Sequence, residues 1–211
     1  MNLENHDLIN YLDAFCEPEP ALLQQINRET NLMVLMPKMV SGHYQGRLFS
    51  MLSKIIAPKN VLEIGTFTGY ATLCFAEGLP PDGKIITLDI NEELEDCVRN
   101  YFNMSGFAHK IDYRIGNATQ LLTQINQTFD LVFIDADKKN NYTYYQMVFD
   151  KVRSGGIIIV DNVLWNGKVV AQNTDTDTKN ISNFNDLINA DKRVEKLILP
   201  VRDGVFIIRK K

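Results

Sequence analysis

Cysteine and histidine are scarce in this chain, which holds three of each among 211 residues. Cys16, Cys74 and Cys97 are odd in number, lie far apart and form no CxxC pair, so the sequence predicts neither a disulfide framework nor a zinc site. The three histidines are equally scattered, and we interpret each as a surface or packing residue. We therefore expect a reducing, cytoplasmic location.

Long apolar runs and blocks of one charge are also missing. No run approaches the roughly 20 residues needed to span a bilayer, and the N-terminus carries Glu4, Asp7 and Asp13 where a signal peptide is basic and apolar. Lys and Arg total 22 against 26 Asp and Glu, and a net charge of -4 gives no general attraction to nucleic acid or anionic membranes. The sequence therefore indicates a soluble protein with neither of these partners.

Apolar runs of strand length are present, and seven of them recur along the chain, at 60–65, 84–89, 110–116, 129–135, 156–161, 193–200 and 204–210. Four of these runs are almost continuously apolar, which is typical of parallel strands covered by helices on both faces. The last two are joined only by the turn VRDG, too short for a parallel crossover, so we expect an antiparallel pair at one end of the sheet. The sequence predicts a doubly wound α/β fold with six parallel strands and one reversed strand.

Helix-like segments fill the intervals between these strands. They are predicted at 68–79, 91–106, 118–127 and 141–152, and three further helices at about 3–15, 20–34 and 43–56 precede the sheet. We expect one domain over 1–211, with 1–56 as a helical extension packed on it. The polar stretch 171–183 is predicted to be a mobile loop and a candidate lid.

The strand ends matter most, because ligands of open α/β sheets bind outside the carboxyl ends of the strands. The first strand ends in EIGTFTGY, where Gly65 and Gly69 let the backbone approach a ligand closely. This is not the GxGxxG dinucleotide motif, and Glu63 disfavours a pyrophosphate but suits a cation. Asp89 ends the second strand and can accept both hydroxyls of a ribose. A nucleoside joined to a charged amino acid fits this pattern, which points to S-adenosylmethionine.

Purely structural explanations compete with this interpretation. Gly65 and Gly69 could form only a tight strand-to-helix turn, and Asp89 could only cap the helix at Asn91. Their occurrence together at consecutive strand ends favours the cofactor.

Acidic and amide side chains end the fourth and fifth strands. Asp135, Asp161 and Asn162 offer hard oxygen ligands that suit Mg²⁺, with Mn²⁺ or Ca²⁺ as alternatives. Lys138, three residues after Asp135, could take a proton from a hydroxyl acidified by the metal. Alternatively, Asp137 caps the next helix and Lys138 is simply solvated.

Six motifs in this order identify a resemblance: MVSGHYQGRLFSML, VLEIGTFTGYATL, TLDIN, FDLVFIDADKKNNY, GGIIIVDNVLWNGKVV and LPVRDGVFIIRK. They resemble the cation-dependent O-methyltransferases typified by caffeoyl-coenzyme A and catechol O-methyltransferases, over about residues 33–210. The resemblance implies a Rossmann-like fold and methyl transfer from S-adenosylmethionine to one hydroxyl of a vicinal diol on an aromatic ring. It also implies a small phenolic substrate and a homodimer.

The same resemblance assigns roles to individual residues. It implies that Asp135, Asp161 and Asn162 bind the cation, Lys138 is the catalytic base, and Trp165 lines the substrate pocket. The implied cofactor contacts are Met39, Ser41, Glu63, Gly65, Thr66, Phe67, Gly69, Asp89, Ile90, Ala118, Asp135 and Asp137.

The chain departs from the family pattern in three places. Gln45 stands where plant members have Glu, and Ala71 where many have Ser. The segment after Trp165 lacks the aromatic and arginine residues that hold a coenzyme A thioester, so we expect a small free catechol or flavonoid-like phenol. The alternatives are a catalytically inactive homologue acting as a binding protein and a nicotinamide-dependent oxidoreductase, although the latter leaves Asp135, Asp161 and Asn162 without a role.

Overall fold

A computed structural model of the chain describes residues 6–171 and 175–211. The described residues group into two compact units. The first contains the chain up to Lys59 together with Thr66–Gly116, and the second contains Asn60–Gly65 and Asn117–Lys211. The expected single domain over 1–211 stays a prediction.

Eight α-helices and seven strands make up the described chain. The helices are α1 His6–Ala14, α2 Ala21–Met33, α3 Gly42–Ile56, α4 Tyr70–Ala76, α5 Glu95–Met104, α6 Ala118–Gln124, α7 Asn141–Phe149 and α8 Thr176–Ala190. The strands are β1 Asn60–Ile64, β2 Lys84–Asp89, β3 Ile111–Ile115, β4 Phe129–Ile134, β5 Val152–Asp161, β6 Val194–Leu199 and β7 Val205–Lys210. The three predicted N-terminal helices are confirmed within a few residues, except that positions 3–5 lie outside the described residues.

The strands form one sheet in the order β3-β2-β1-β4-β5-β7-β6. β4 lies parallel to both β1 and β5, and β2 lies parallel to β3. β7 alone runs antiparallel to its neighbours β5 and β6. The predicted topology, with six strands in one direction and one reversed, is therefore confirmed.

The central strands of the second unit are buried along their whole length. In β4, the consecutive residues Leu131, Val132, Phe133 and Ile134 are all 0% exposed. Because successive side chains of a strand point to opposite faces, both faces of this part of the sheet are covered. This burial explains why the sequence of these strands is almost continuously apolar.

In the first unit, α3 packs closely against α4. Gly46 permits this contact, because a Cβ at Gly46 would lie 2.6 Å from Cε1 of the Tyr70 ring. The same helix pair carries a partly buried ion pair, in which Arg47 donates to Glu77 at 2.7 Å and Ser50 donates to the same carboxylate at 2.7 Å. This ion pair holds α3 in position beside α4.

Two expectations from the sequence are wrong. β5 begins at Val152 rather than at residue 156, because its register with β4 shifts and Gly155 adopts a φ of +75°, so the strand runs through a segment that reads as a turn. The stretch 171–183 is not a loop throughout, since α8 begins at Thr176; residues 172–174 lie outside the described chain. The Asp175 side chain caps this helix by accepting the N–H of Thr178 at 2.8 Å.

No helix in the described part of the chain is both long enough and apolar enough to cross a membrane.

Candidate active site

The ends of β4 and β5 bring two of the predicted metal ligands to the same edge of the second unit. Ile134 and Val160 are register partners in these parallel strands, and Asp135 and Asp161 are the next residue on each. The Asp161 carboxylate is almost fully buried, at 4% exposure, and accepts the N–H of Asn162 at 2.7 Å. Asn162 has a φ of +60°, a left-handed conformation that asparagine tolerates better than most residues. Three oxygen-bearing side chains therefore follow adjacent strand ends.

Lys138 lies beside the first of these carboxylates. Its Nζ donates to Oδ1 of Asp135 at 2.7 Å, and both side chains are largely buried. Lys138 follows Asp135 by three positions and is the first residue of a 3₁₀ turn at Lys138–Asn140. The alternative of a solvated Lys138 is therefore wrong, because the ammonium group is held at the strand end.

Asp137 is held by two different neighbours. Its Oδ2 accepts the Asn140 side-chain amide at 2.6 Å, and its Oδ1 accepts the Tyr144 hydroxyl at 2.6 Å. Burial and this hydrogen bond to Asp137 raise the pKa of Tyr144 above its ordinary value. Asp137 is the N-cap residue, immediately before the turn, but its side chain makes no capping bond to the backbone. Tyr144 was not found from the sequence, because it reads there as one of several apolar helix residues.

The side-chain oxygens of the predicted metal ligands are of the chemical type that binds hard divalent cations. Asp135, Asp161 and Asn162 offer two carboxylates and one amide oxygen, the groups that Mg²⁺ and Ca²⁺ bind in proteins. Within residues 6–171 and 175–211, no group of three or more His, Cys, Asp or Glu side chains is arranged to hold a metal ion. The set would therefore depend on the asparagine as its third protein ligand.

The turn after β1 has a steric requirement for glycine. Gly65 has a φ of +103°, and a Cβ there would lie 2.2 Å from the backbone oxygen of Asp135. The amide of Asp135 in turn donates to the carbonyl of Ile64 at 2.8 Å. Gly65 therefore allows β1 and β4 to approach at their carboxyl ends. Glu63, two residues earlier on β1, is fully buried.

In the first unit, the rest of the glycine turn is fixed by packing and by hydroxyl contacts. Gly69 has a φ of +77°, and a Cβ there would lie 2.6 Å from Cε1 of Phe102. Its N–H donates to the carbonyl of Thr66 at 2.8 Å, and the Thr66 hydroxyl lies 2.6 Å from that of Thr87. Close packing therefore explains Gly69 without any ligand.

Asp89 orients the same turn. Its Oδ2 accepts the N–H of Phe67 at 2.6 Å, and its Oδ1 accepts the N–H of Asn91 at 2.9 Å. The cap of the following 3₁₀ turn is Asn91, whose side chain accepts the N–H of Glu93 at 3.0 Å. Capping alone therefore does not account for Asp89, because its side chain also holds the backbone of the glycine turn at Phe67. Each carboxylate oxygen uses one of its acceptor positions and keeps others for a ligand.

The remaining predicted cofactor contacts occupy different surroundings. Ile90 and Met39 are exposed, at 72% and 55%. Ser41 is buried and stands at the start of α3, and Ala118 is half-buried as the first residue of α6. The cofactor roles of all these residues stay predictions.

The predicted substrate residue Trp165 belongs to a segment with unusual backbone conformations. Asn162, Trp165 and Asn166 all have φ between 47° and 60°, and the Trp165 side chain is half-buried. The N–H of Asn166 donates to Oδ1 of Asp203 in the turn between β6 and β7. The sequence did not identify Asp203, because it lies 37 positions from its partner and reads as an ordinary turn residue.

Comparison with known proteins shows the family. The model of the O-methyltransferase family matches residues 13–211. Caffeoyl-CoA O-methyltransferase 1 of Arabidopsis thaliana is 36% identical over 99% of this chain and 86% of its own length. Caffeoyl-CoA O-methyltransferase 2 of Eucalyptus globulus is 40% identical over 82% of this chain and 75% of its own length.

Solved structures are similar over almost the whole chain. The methyltransferase PaMTH1 of Podospora anserina, determined bound to SAH, has a TM-score of 0.91 and 26% identity, and the match covers 100% of this chain and 97% of that one. An O-methyltransferase of Bacillus cereus in complex with SAH has a TM-score of 0.89 and 30% identity over 97% of each chain. These similarities confirm the Rossmann-like fold. The chain is an enzyme that belongs to the O-methyltransferase family.

Proposed function

We propose that the protein transfers a methyl group from S-adenosylmethionine to one hydroxyl of a catechol-type aromatic ring, with a divalent cation bound beside the acceptor. The observation that carries this proposal is the placement of Asp135 and Asp161 next to each other in register at the ends of β4 and β5, with Asn162 and Lys138 alongside. Two similar structures contain SAH, which S-adenosylmethionine becomes when it loses its methyl group.

Cofactor binding would use carboxylates that the backbone already holds in place. Asp89 would accept the ribose hydroxyls through acceptor positions that Phe67 and Asn91 leave open. Asp137, fixed by Asn140 and Tyr144, would face the cofactor or its waters. Because these side chains are held before the ligand arrives, little ordering would accompany binding. Met39, Ser41, Glu63, Gly65, Thr66, Phe67, Gly69, Ile90, Ala118 and Asp135 complete the proposed contacts.

Asp135, Asp161 and Asn162 would hold the cation, with Mg²⁺ as the first choice and Mn²⁺ or Ca²⁺ as alternatives. A divalent cation there would supply Lewis acidity, which makes a neighbouring phenolic hydroxyl easier to ionise. Lys138 Nζ, as a neutral amine, would take the proton of that hydroxyl and become an ammonium group, and its bond to Asp135 keeps it at the strand end. Trp165 would line the pocket for the aromatic ring. Methyl transfer needs no protein nucleophile, so positioning by these side chains supplies much of the rate.

The acceptor proposed is a small free catechol or flavonoid-like phenol. The curated relatives are named for caffeoyl-CoA, so caffeoyl-CoA is the natural comparison. A homodimer stays a prediction; the exposed apolar side chains Leu32, Met33, Leu35 and Met36 support it, and light scattering after gel filtration would measure it.

The oxidoreductase alternative has no support from the family found. The inactive homologue differs from our proposal by its lack of turnover, so variants of the metal set test the proposal directly.

Asp135→Ala should reduce Mg²⁺-dependent turnover at least about a hundred-fold, since metal stabilisation is worth several kcal/mol. Binding of S-adenosylmethionine, measured by calorimetry, should change much less, because Asp135 is only one of the twelve proposed cofactor contacts. Asp112→Ala, which removes an exposed carboxylate paired with Arg114, is the matched control and should retain activity. Loss of cofactor affinity with retained turnover in Asp135→Ala would contradict the assignment.

A further inference from the structure

The segment that follows the metal set is held in a strained conformation. Between Asn162 and Gly167, four of six residues have positive φ: Asn162 at 60°, Trp165 at 47°, Asn166 at 53° and Gly167 at 75°. Three of these residues carry side chains, and such conformations persist only where surrounding contacts enforce them. The contacts that hold the segment therefore decide where the Trp165 side chain lies.

The turn between β6 and β7 provides most of these contacts. The carbonyl of Gly204 accepts the N–H of Val163 at 3.1 Å, and the carbonyl of Asp203 accepts the N–H of Leu164 at 2.8 Å. The carboxylate of Asp203 accepts the next bond, from the N–H of Asn166. Three N–H groups of the strained segment thus end on two adjacent turn residues. Only the last of these bonds depends on a side chain.

Packing on either side supports the same arrangement. A Cβ at Gly204 would lie 2.4 Å from Cγ of Leu164, so the glycine lets Leu164 lie against the turn. On the other side, the side-chain amide of Asn185 in α8 donates to the carbonyl of Val163 at 2.8 Å. Val163 and Leu164 are therefore fixed by backbone and packing contacts. After Trp165, the segment is held by the Asp203 carboxylate, which accepts the N–H of Asn166, and by the N–H of Gly167, which donates to the carbonyl of Leu164 at 2.9 Å.

The surroundings of Asp203 also connect it to the proposed base. Burial raises the pKa of the Asp203 carboxyl above its ordinary value, although the Asn166 N–H and the positive charges of Lys138 and Arg202 act against that rise. The positive charge of Lys138 therefore acts on this carboxylate, while the hydrogen bond from Asn166 joins Asp203 to the segment that carries Trp165.

We propose that Asp203 is a positioning residue for the methyl acceptor, because its hydrogen bond to the Asn166 N–H fixes the backbone on the far side of Trp165 and so holds the indole ring in the acceptor pocket. This assignment of Trp165 to the pocket rests on the proposed function. Loss of the Asp203 carboxylate should release the indole and weaken acceptor binding. It should leave S-adenosylmethionine binding unchanged.

Trp165 is the chain's one tryptophan, so its fluorescence reports on this segment without any need for turnover. Asp203→Ala should shift the emission to longer wavelength and increase quenching by acrylamide, because the half-buried indole becomes freer. Asp203→Asn keeps an oxygen that can accept the Asn166 N–H, so its fluorescence should stay close to that of the wild type. Asp130→Ala is the matched control, since Asp130 also accepts a backbone N–H, from Asn60, but at the opposite end of the sheet.

Kinetics with a catechol acceptor provide the second measurement. Asp203→Ala should raise the acceptor KM about ten-fold, the size expected for losing one hydrogen bond to a charged group, and change kcat less. Asp203→Asn should restore most of the loss. Should Asp203→Ala fail to fold, Asp203→Ser, whose hydroxyl reaches less far, takes its place.

Unchanged fluorescence and KM in a folded Asp203→Ala would overturn the inference. Equal damage in Asp203→Asn and Asp203→Ala would also overturn it, since charge rather than the hydrogen bond would then be responsible. A wild-type protein that methylates no catechol would refute the proposed function instead, while the fluorescence comparison would still test whether Asp203 positions Trp165.

Discussion

Replacement of Gly65 by alanine is expected to destabilise the protein through two separable effects. The first is conformational, because a side chain at a φ of +103° costs about 1 kcal/mol. The second is a clash, because the new Cβ would lie 2.2 Å from the Asp135 oxygen, where real Cβ contacts almost never fall below 3.0 Å. The clashing atom is a backbone oxygen at a paired strand end, which cannot rotate away as a side chain can. We therefore expect the clash to lower the free energy of unfolding by about 1–3 kcal/mol more.

Gly106→Ala separates the two effects. Gly106 has a φ of +76°, but a Cβ there would meet no atom within 4 Å, so this variant carries conformational strain alone. With about 2–4 °C lost per kcal/mol in a chain of this length, Gly65→Ala should lower the midpoint of thermal unfolding by roughly 4–16 °C. Gly106→Ala should lower it by no more than about 4 °C. Differential scanning calorimetry measures both. Equal midpoints in the two variants would show that the close approach of β1 and β4 at Gly65 has been misjudged.

Three further predictions concern single side chains. Burial by itself raises the pKa of Glu77, but hydrogen bonds and charge from Arg47 and others outweigh it and lower the pKa. A carboxylate whose pKa is lowered in the folded state stabilises the fold above the unfolded pKa of about 4.3, and this stabilisation is lost as the pH falls. The free energies of unfolding of wild type and Glu77→Gln, measured in urea, should therefore differ most near neutral pH and differ less below about pH 4. Asp89→Ala should weaken S-adenosylmethionine binding by about ten-fold or more in calorimetry, and an unchanged Kd would exclude the ribose contact. Lys138→Met should abolish turnover while Mg²⁺ and cofactor still bind; retained turnover would show that Lys138 is not the base.

The sequence predicted the fold wherever burial on both faces leaves a continuous apolar run. β1, β2 and β4 were located to within a residue for this reason. The start of β5 was missed, since Arg153, Ser154 and Gly155 give a turn-like pattern to a strand that passes through an irregular register. α8 was missed because its buried side chains, Ile181, Phe184 and Ile188, occur only about once per turn within a polar stretch.

In the candidate site too, residues at the ends of regular strands could be predicted, whereas contacts made by irregular backbone could not. Asp89, Asp135 and Asp161 could be predicted from the sequence, because parallel strands place their carboxyl ends at one edge of the sheet. The bond from Phe67 to Asp89 and the bond from Asn166 to Asp203 both depend on left-handed conformations that no local pattern specifies.

The most direct test of the account is the formation of S-adenosylhomocysteine by the purified protein with S-adenosylmethionine and a panel of acceptors. The panel should include free caffeate, other small catechols and caffeoyl-CoA, each with Mg²⁺ or with EDTA, and cofactor binding should be measured in the same samples. We predict product with a catechol acceptor in Mg²⁺ and its loss in EDTA. Product that EDTA leaves unchanged would contradict the role given to Asp135, Asp161 and Asn162, and failure to bind S-adenosylmethionine would contradict the proposed reaction as a whole.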